Sequence, residues 1–340
     1  MYRGKTVAVV VPAYNEEGLV GSVIQSIPEF VDRIYAVDDC STDGTWEEIL
    51  GCVRPEDAEA GAAADATEAG STAATADGGH ATPRVVPVRH EENSGVGAAI
   101  KTGYRRARAE EMDVTAVVNG DGQMDPSILE RFVEPVAEGQ ADYAKGDRLR
   151  SRELHADMSA WRLTGNVLLT FLTKIASGYW GMNDPQNGYT AISLSALERL
   201  DLERLYDDYG FLNDLLVALN ARDCRVADVP MTAVYGDEES GIAYSSFVPR
   251  LSALLLRDFC WRLKVKYFVL DFHPLVLFYL LGAVGGVLGV AYGLWAHVSR
   301  ASLLASGVAI LICLVSAALV LFAMVFDMQH NDHLHRDVAN

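Results

Sequence analysis

Residues 275–296 and 301–326 contain no Asp, Glu, Lys or Arg. Each run exceeds the ~20 apolar residues that a helix needs to cross a bilayer. A helix of that length in a soluble protein keeps one polar face toward water, and neither run has one. Gly282, Gly285, Gly286 and Gly289 suit close helix contact within the first run. The short gap between the runs predicts a two-helix transmembrane hairpin over 271–328. Upstream, apolar and basic residues recur at helical spacing between 247 and 266, which predicts an amphipathic helix lying in the membrane interface over 246–270. Arg250, Arg257, Arg262, Lys264 and Lys266 gather before the first span, whereas the gap carries only Arg300. By the positive-inside rule this predicts a multi-pass cell-membrane protein with its N-terminal domain and a 329–340 tail in the cytoplasm. Met1-Tyr2-Arg3-Gly4-Lys5 leads directly into an apolar strand, with no secretory pattern between.

The remaining residues, 1–245, are mixed and charged, enough for one α/β domain. The net charge of -18 argues against nucleic acid as a partner, because a phosphate backbone is bound by clustered Lys and Arg. Only six residues are Lys; acid excess with scarce lysine resembles proteins of salt-loving archaea, where concentrated salt screens self-repulsion. Cys40, Cys52, Cys224, Cys260 and Cys313 lack CxxC spacing, which predicts reduced thiols and no zinc site. Residues 54–84 are Ala, Gly, Thr and acid without a large apolar side chain, and so predict a disordered acidic insertion.

Short apolar runs at 6–11, 34–37, 85–88, 114–118, 141–144, 191–193 and 225–229 alternate with helical patterns at 18–26, 45–52, 93–111, 127–138, 158–177, 195–200 and 209–220. Such alternation implies a mostly parallel sheet whose functional loops gather at the carboxyl ends of the strands. Three of these ends are polar: Pro12-Ala13-Tyr14-Asn15-Glu16-Glu17, Asp38-Asp39-Cys40-Ser41-Thr42-Asp43, and Asn119-Gly120-Asp121-Gly122-Gln123. The third groups carboxylate and amide oxygens, a set suited to a hard divalent cation, although Asp-Gly is also a common structural turn. Gly95 and Gly97 would let a helix N-terminus approach a phosphate or ribose, or simply allow close helix packing. Asp214 falls in the first turn of a helix, where the dipole favours a carboxylate.

Three polar strand ends in this order resemble the nucleotide-sugar domain of family 2 glycosyltransferases, and the resemblance runs from Val7 to about Tyr244 apart from the insertion. It is strongest with polyprenyl-phosphate sugar synthases of the dolichyl-phosphate mannose or glucose type. The resemblance implies a GT-A-type fold with a mostly parallel central sheet, and places Pro12, Ala13, Tyr14, Glu16 and Asp39 at the nucleoside. Asn119, Asp121 and Gln123 match a metal turn of the form Asp-x-Asp-x-Gln. Asn119 departs from it, offering an amide oxygen without charge, which leaves Asp121 as principal ligand of Mg2+ or Mn2+. Arg148 and Arg162 match the two arginines expected to hold the acceptor phosphate, and Asp184, Gln186 and Asn187 match a segment facing the donor sugar. Asp214 stands near the place where other members keep a catalytic base; here it would orient the acceptor or act as a cap.

The activity implied is inverting transfer of a hexose from a UDP- or GDP-sugar to dolichyl or polyprenyl phosphate, feeding protein N-glycosylation. A lipid monophosphate, with a second pKa near ~6, is already largely dianionic at neutral pH and needs positioning more than a base. Arginine suits that task through its bidentate fork. Elongation of a lipid-linked oligosaccharide is the alternative within the fold and would make Asp214 essential; the Gln-x-x-Arg-Trp motif of processive synthases is absent after it. A catalytically inactive, membrane-anchored nucleotide-sugar-binding module is the alternative of another class, because Asn119 weakens the metal turn. A sugar nucleotidyltransferase would carry a glycine-rich loop after the first strand, where this chain has Pro12-Ala13-Tyr14.

Overall fold

A run of Val and Ala from Val7 to Ala13 forms β1, buried at every position and so flanked by protein on both faces. A computed structural model of the chain describes residues 1–53, 84–148, 160–231, 244–300 and 302–338. The expected acidic insertion lies outside the described residues, apart from Arg84. The other strands are β2 (Arg33–Asp38), β3 (Val85–Arg89), β4 (Val114–Val117), β5 (Tyr143–Asp147), β6 (Thr190–Ser193), β7 (Val226–Pro230) and β8 (His335–Asp337). They build one sheet in the order β3-β2-β1-β4-β6-β5-β7-β8. Among the described strands β6 alone runs antiparallel to its neighbours, β4 and β5, and the other strand pairings are parallel.

Period-2 alternation sends Val7, Val9 and Val11 to one face and Ala8 and Val10 to the other. On the first face pack α1 (Val20–Ser26), α2 (Thr45–Gly51) and α4 (Leu129–Ala137). On the second lie α3 (Val96–Ala109), α6 (Leu194–Arg199) and α7 (Phe211–Asn220). A Cβ on Gly103 of α3 would collide with the Val10 side chain, so glycine sets how closely that helix approaches β1. Helix α5 (Ala160–Ser177) follows β5.

The membrane-side elements are α8 (Tyr244–Lys264), a π-helical turn (Val265–Leu270), α9 (Leu275–Val298) and α10 (Leu303–Asn331). Helices α9 and α10 are long and apolar enough to cross a membrane, and their large side chains are mostly exposed. They pack on each other through glycine: a Cβ on Gly282 would lie 2.9 Å from Ser316 O, and one on Gly289 2.7 Å from Cys313 Sγ.

Three expectations are corrected. The fifth strand starts at Tyr143 and includes Lys145, Gly146 and Asp147, which the sequence placed just past its end. The 329–340 tail is not a free tail: α10 continues to Asn331, and β8 then joins the sheet beside β7. Of the basic cluster before the first span, Arg262 and Lys266 are buried in a polar joint, and Arg257 pairs with Asp214 and Asp258. In the joint, Arg262 forks onto Asp327 with both N···O distances 2.9 Å, and Lys266 Nζ donates to Asn220 O (2.9 Å) and Asn331 Oδ1 (2.8 Å). Charge clustering cannot distinguish cations that meet lipid from cations that meet protein.

Candidate active site

The carboxyl ends of β1, β2 and β4 meet at one edge of the sheet, and β6, being antiparallel, enters from that same edge beside β4. Pro12 and Ala13 are buried at the end of β1, while Tyr14 is exposed and Glu16 half-buried in the loop beyond. That loop is stitched to the one after β2: Asn15 N donates to Ser41 Oγ (2.9 Å) and Glu16 N to Thr45 Oγ1 (2.7 Å). Asn15 and Cys40, with φ of 56° and 63°, make the tight turns.

Asp39 follows β2 directly, and its backbone N donates to Ala13 O at 2.9 Å. It is 3% exposed, and its carboxylate accepts from Gly95 N (2.7 Å), Ser94 N (3.0 Å) and His90 Nδ1 (2.7 Å). The carboxylate thus braces two loops, and a base edge would have to displace His90 to reach it. The glycines of α3 are likewise explained by packing. A Cβ on Gly95 would stand 2.6 Å from Asp207 O and one on Gly97 2.7 Å from Tyr206 O, while Ala98 N donates to Asp207 O. The helix N-terminus is capped by protein and not presented to a phosphate.

Beyond β4, Gly120 N donates to Pro12 O (3.1 Å), which presses the acidic turn against the first loop. Asp121 Oδ1 accepts from Gln123 N (2.9 Å); among the described residues its Oδ2 and the side-chain amides of Asn119 and Gln123 make no hydrogen bond. One carboxylate and two amide oxygens, on side chains that are only half-buried, are the kind of hard donors that Mg2+ or Mn2+ takes when substrate phosphate completes the shell. The segment of Asp184, Gln186 and Asn187 reaches the same place, because Gly188 lies beside Asn119: a Cβ there would be 3.8 Å from its Oδ1.

Arg148, one residue past β5, forms a two-pronged ion pair with Asp184, Nε to Oδ2 at 2.7 Å and Nη2 to Oδ1 at 3.0 Å. Burial alone would raise the Asp184 pKa; the guanidinium outweighs it and holds the carboxyl below its ordinary range. Both Asp184 oxygens therefore serve Arg148 before any sugar hydroxyl. Asn187 is buried, its Nδ2 3.3 Å from Asp184 Oδ2, and half-buried Gln186 donates to Asn213 Oδ1 (2.7 Å). Arg162 lies in the first turn of α5, with its side chain outside the described residues.

Asp214 lies in the first turn of its helix, α7. Fully buried, it accepts from Tyr206 N (2.9 Å) and pairs with Arg204 (3.3 Å) and Arg257 (3.5 Å), so it joins α7 to α8. Burial raises its pKa despite the arginines. Its neighbour Asn213 is the residue turned toward Gln186.

Several residues at the site carried no sequence signal. The Lys145–Asp228 pair is buried, Nζ to Oδ1 at 2.9 Å, and Asp228 also accepts from Asn183 N at 2.8 Å. Burial would raise the Asp228 pKa, but the Lys145 charge holds it down. A Cβ on Gly146 would stand 2.5 Å from both Asn187 Nδ2 and Met231 Sδ. Only a Lys-Gly-Asp-Arg run hinted at this cluster, and its partners lie 36 to 85 residues further along.

Known proteins are similar to this chain in sequence and in fold. At 25% identity over 232 residues the chain is similar to UDP-N-acetylglucosamine--dolichyl-phosphate N-acetylglucosaminyltransferase of Methanococcus voltae, covering 68% of this chain and 86% of that one. At 26% over 236 residues it is similar to undecaprenyl-phosphate mannosyltransferase of Micrococcus luteus, covering 67% and 83%. Glucosyl-3-phosphoglycerate synthase from Mycobacterium tuberculosis shares the fold, with a TM-score of 0.51 at 20% identity over 77% of this chain and 81% of that one. The fold is GT-A, with its mostly parallel sheet followed by apolar C-terminal helices. With the Glycosyl transferase family 2 profile matching residues 8–58 and 63–200, across the three polar strand ends and the segment of Asp184, Gln186 and Asn187, the chain belongs to glycosyl transferase family 2 and is a glycosyltransferase.

Proposed function

We propose that this glycosyltransferase moves a hexose, with inversion, from a UDP- or GDP-sugar to dolichyl or another polyprenyl phosphate at the cytoplasmic face of a membrane. The observation that carries the reading is the convergence, at one sheet edge, of the open oxygens of Asn119, Asp121 and Gln123 with the Arg148–Asp184 fork, in a chain that continues into a long apolar hairpin. Relatives named as transferring sugars to dolichyl and undecaprenyl phosphate support the acceptor class.

The loops holding Tyr14, Glu16 and Ser41 bind the nucleoside, with Pro12 and Ala13 as the floor and Asp39 bracing them from behind. Asn119, Asp121 and Gln123 hold Mg2+ or Mn2+, which supplies charge neutralisation for the departing diphosphate. Arg148, steered by Asp184, and Arg162 bring the acceptor phosphate against the repulsion of the donor. Gln186, held by Asn213, turns its remaining oxygen to the sugar, with Asn187 behind it. A dianionic acceptor needs no general base. The engagement of Asp214 with Arg204 and Arg257 favours this acceptor over an oligosaccharide hydroxyl. Both ends of the hairpin lie at the catalytic domain, which suits a cytoplasmic domain with the end of α9 and the start of α10 on the far side. Protein N-glycosylation is the pathway we assign, on composition and family analogy.

Transfer of radiolabelled sugar from a panel of UDP- and GDP-sugars into dolichyl phosphate, in high salt with Mg2+ or Mn2+, tests the reading. Metal-dependent lipid product with the wild type, lost with Asp121→Ala, is the expected result. Nucleotide binding without product from any donor would overturn it in favour of an oligosaccharide-lipid acceptor or an inactive binding module.

A further inference from the structure

The segment from the end of α5 to β6 carries Asp184, Gln186 and Asn187, and it is gripped at successive positions from the membrane side. Gly178, at φ +79°, lies against the Arg262 guanidinium of α8, where a Cβ would collide with Nη1. Trp180 Nε1 donates to Asp327 Oδ2 of α10 at 3.1 Å. Gly181 faces the His335 ring of β8, and a Cβ there would stand 2.6 Å from Nδ1. Two residues later Asn183 N donates to Asp228, to which His335 Nε2 lies at 3.4 Å, and Asp184 then meets Arg148.

These grips come from three elements that follow the catalytic domain in sequence. Strand β8 is docked firmly enough to place a side chain: it pairs in register with β7, from Val226↔His335 to Asp228↔Asp337, and Leu334 beside it is buried at 1% exposure among Tyr179, Cys224 and Val226. The Lys145–Asp228 pair links the grip to the site, since Lys145 Nζ also donates to Asn183 O and Asp184 is the next residue.

We propose that α8, α10 and β8 act as a clamp that positions the 178–188 segment, with Trp180 and His335 as positioning residues for Asp184 and hence for the Arg148 fork. The membrane hairpin thereby builds part of the site instead of only bringing it to the bilayer, and the consequence holds even for an acceptor too short to need a bilayer. The activity arm of the test rests on the function proposed above; the exchange arm does not.

The full-length protein is examined as wild type, Trp180→Phe, Gly181→Ala, His335→Ala and the Gly181→Ala/His335→Ala pair. Amide hydrogen exchange is followed across 178–188, and steady-state transfer is measured to a short, water-soluble prenyl phosphate. Trp180→Phe and Gly181→Ala should speed exchange in 178–188 while β1 and β2 stay protected. They should lower kcat about 10-fold with donor KM unchanged, as expected for misplacement on the ångström scale. Because the alanine methyl and the His335 ring compete for one space, the pair should match His335→Ala alone instead of adding. Unchanged exchange in 178–188, a uniform rise across the domain, or an additive pair would overturn the clamp. If the wild type forms no lipid product, the function reading fails, and the exchange pattern alone decides the clamp.

Discussion

Replacing Arg262 by Met should destabilise the protein more than replacing Arg262 and Asp327 together. Arg262 is fully buried and places its donors on Ala176 O (2.9 Å), Ile175 O (3.1 Å), both Asp327 oxygens (2.9 Å each) and Tyr267 OH (3.4 Å). Methionine fills similar space but strands the Asp327 carboxylate, which keeps only the neutral donors Tyr267 OH (2.6 Å), Asn331 Nδ2 (3.0 Å) and Trp180 Nε1 (3.1 Å). Breaking a buried ion pair from one side costs about 3–5 kcal/mol, and three surviving donors place this case near ~3. In Arg262→Met/Asp327→Leu neither charge remains to be desolvated. The carbonyls of Ile175 and Ala176 lose Arg262 in both variants, and what the pair adds is the indole N–H and the Tyr267 hydroxyl without their acceptor, about 1–2 kcal/mol for the two together at the usual net worth of a neutral hydrogen bond. The pair should therefore recover about 1–2 kcal/mol, seen as a thermal midpoint several degrees above the single variant, about 2–4 °C per kcal/mol in a chain of this size class. Thermal scans at one scan rate in one detergent give the ordering. A pair that melts with the single variant or below it would refute the desolvation argument and mean that the ion pair is net stabilising in this joint.

Asp121→Ala should lower kcat at least about 100-fold, the scale of removing a main electrostatic contact to developing charge, with nucleotide still bound as judged by titration calorimetry. Gly146→Ala puts a methyl into Asn187 and Met231; it should destabilise by about 1–3 kcal/mol on overpacking grounds and reduce transfer along with thermal stability. Asp258 on α8 is pushed up to about 6 by burial and by Asp214, so the folded protein holds this proton more tightly than the unfolded chain. Its contribution to stability therefore rises as pH falls from above 6 toward ~4, and Asp258→Asn should raise the thermal midpoint at pH 7.5 but not at pH ~4. Asp228 has the opposite sign: its depressed pKa gives stability that is present above ~4 and lost as pH falls further. A midpoint measured from pH 5 to 3 should fall less steeply in Asp228→Asn than in wild type.

The three polar strand ends were legible because they are local: an apolar run, a turn residue and a carboxylate lie within ten positions, and parallel topology brings such ends together. The acidic turn of Asn119 and Asp121 meets the first loop in the structure, as the alternation implied. Asp39 was legible as a loop residue but not in its task, because His90 and Gly95, which engage it, lie more than 50 positions away. The direction in which Asp214 points was hidden for a related reason. Helical periodicity puts Asn213 and Asp214 about 100° apart, and only the packing of α8 against α7 decides which of them meets Gln186.

The C-terminal return shows the division most clearly. Hydropathy marked two charge-free runs, and the lengths of α9 and α10 follow from them, since a helix satisfies its own backbone hydrogen bonds without a partner. That Asp327, Asn331 and His335 then turn back onto the catalytic domain left no trace in the sequence, because each is one polar residue in a polar stretch. Its significance depends on a partner up to 147 positions earlier. By itself the sequence determined what depends on neighbours within a turn or a strand: the alternation, the apolar spans and the residue types at the strand ends. The tertiary structure decided which buried charge meets which. A charge leaving water is stabilised by the few atoms around it, and those are chosen by how distant segments pack.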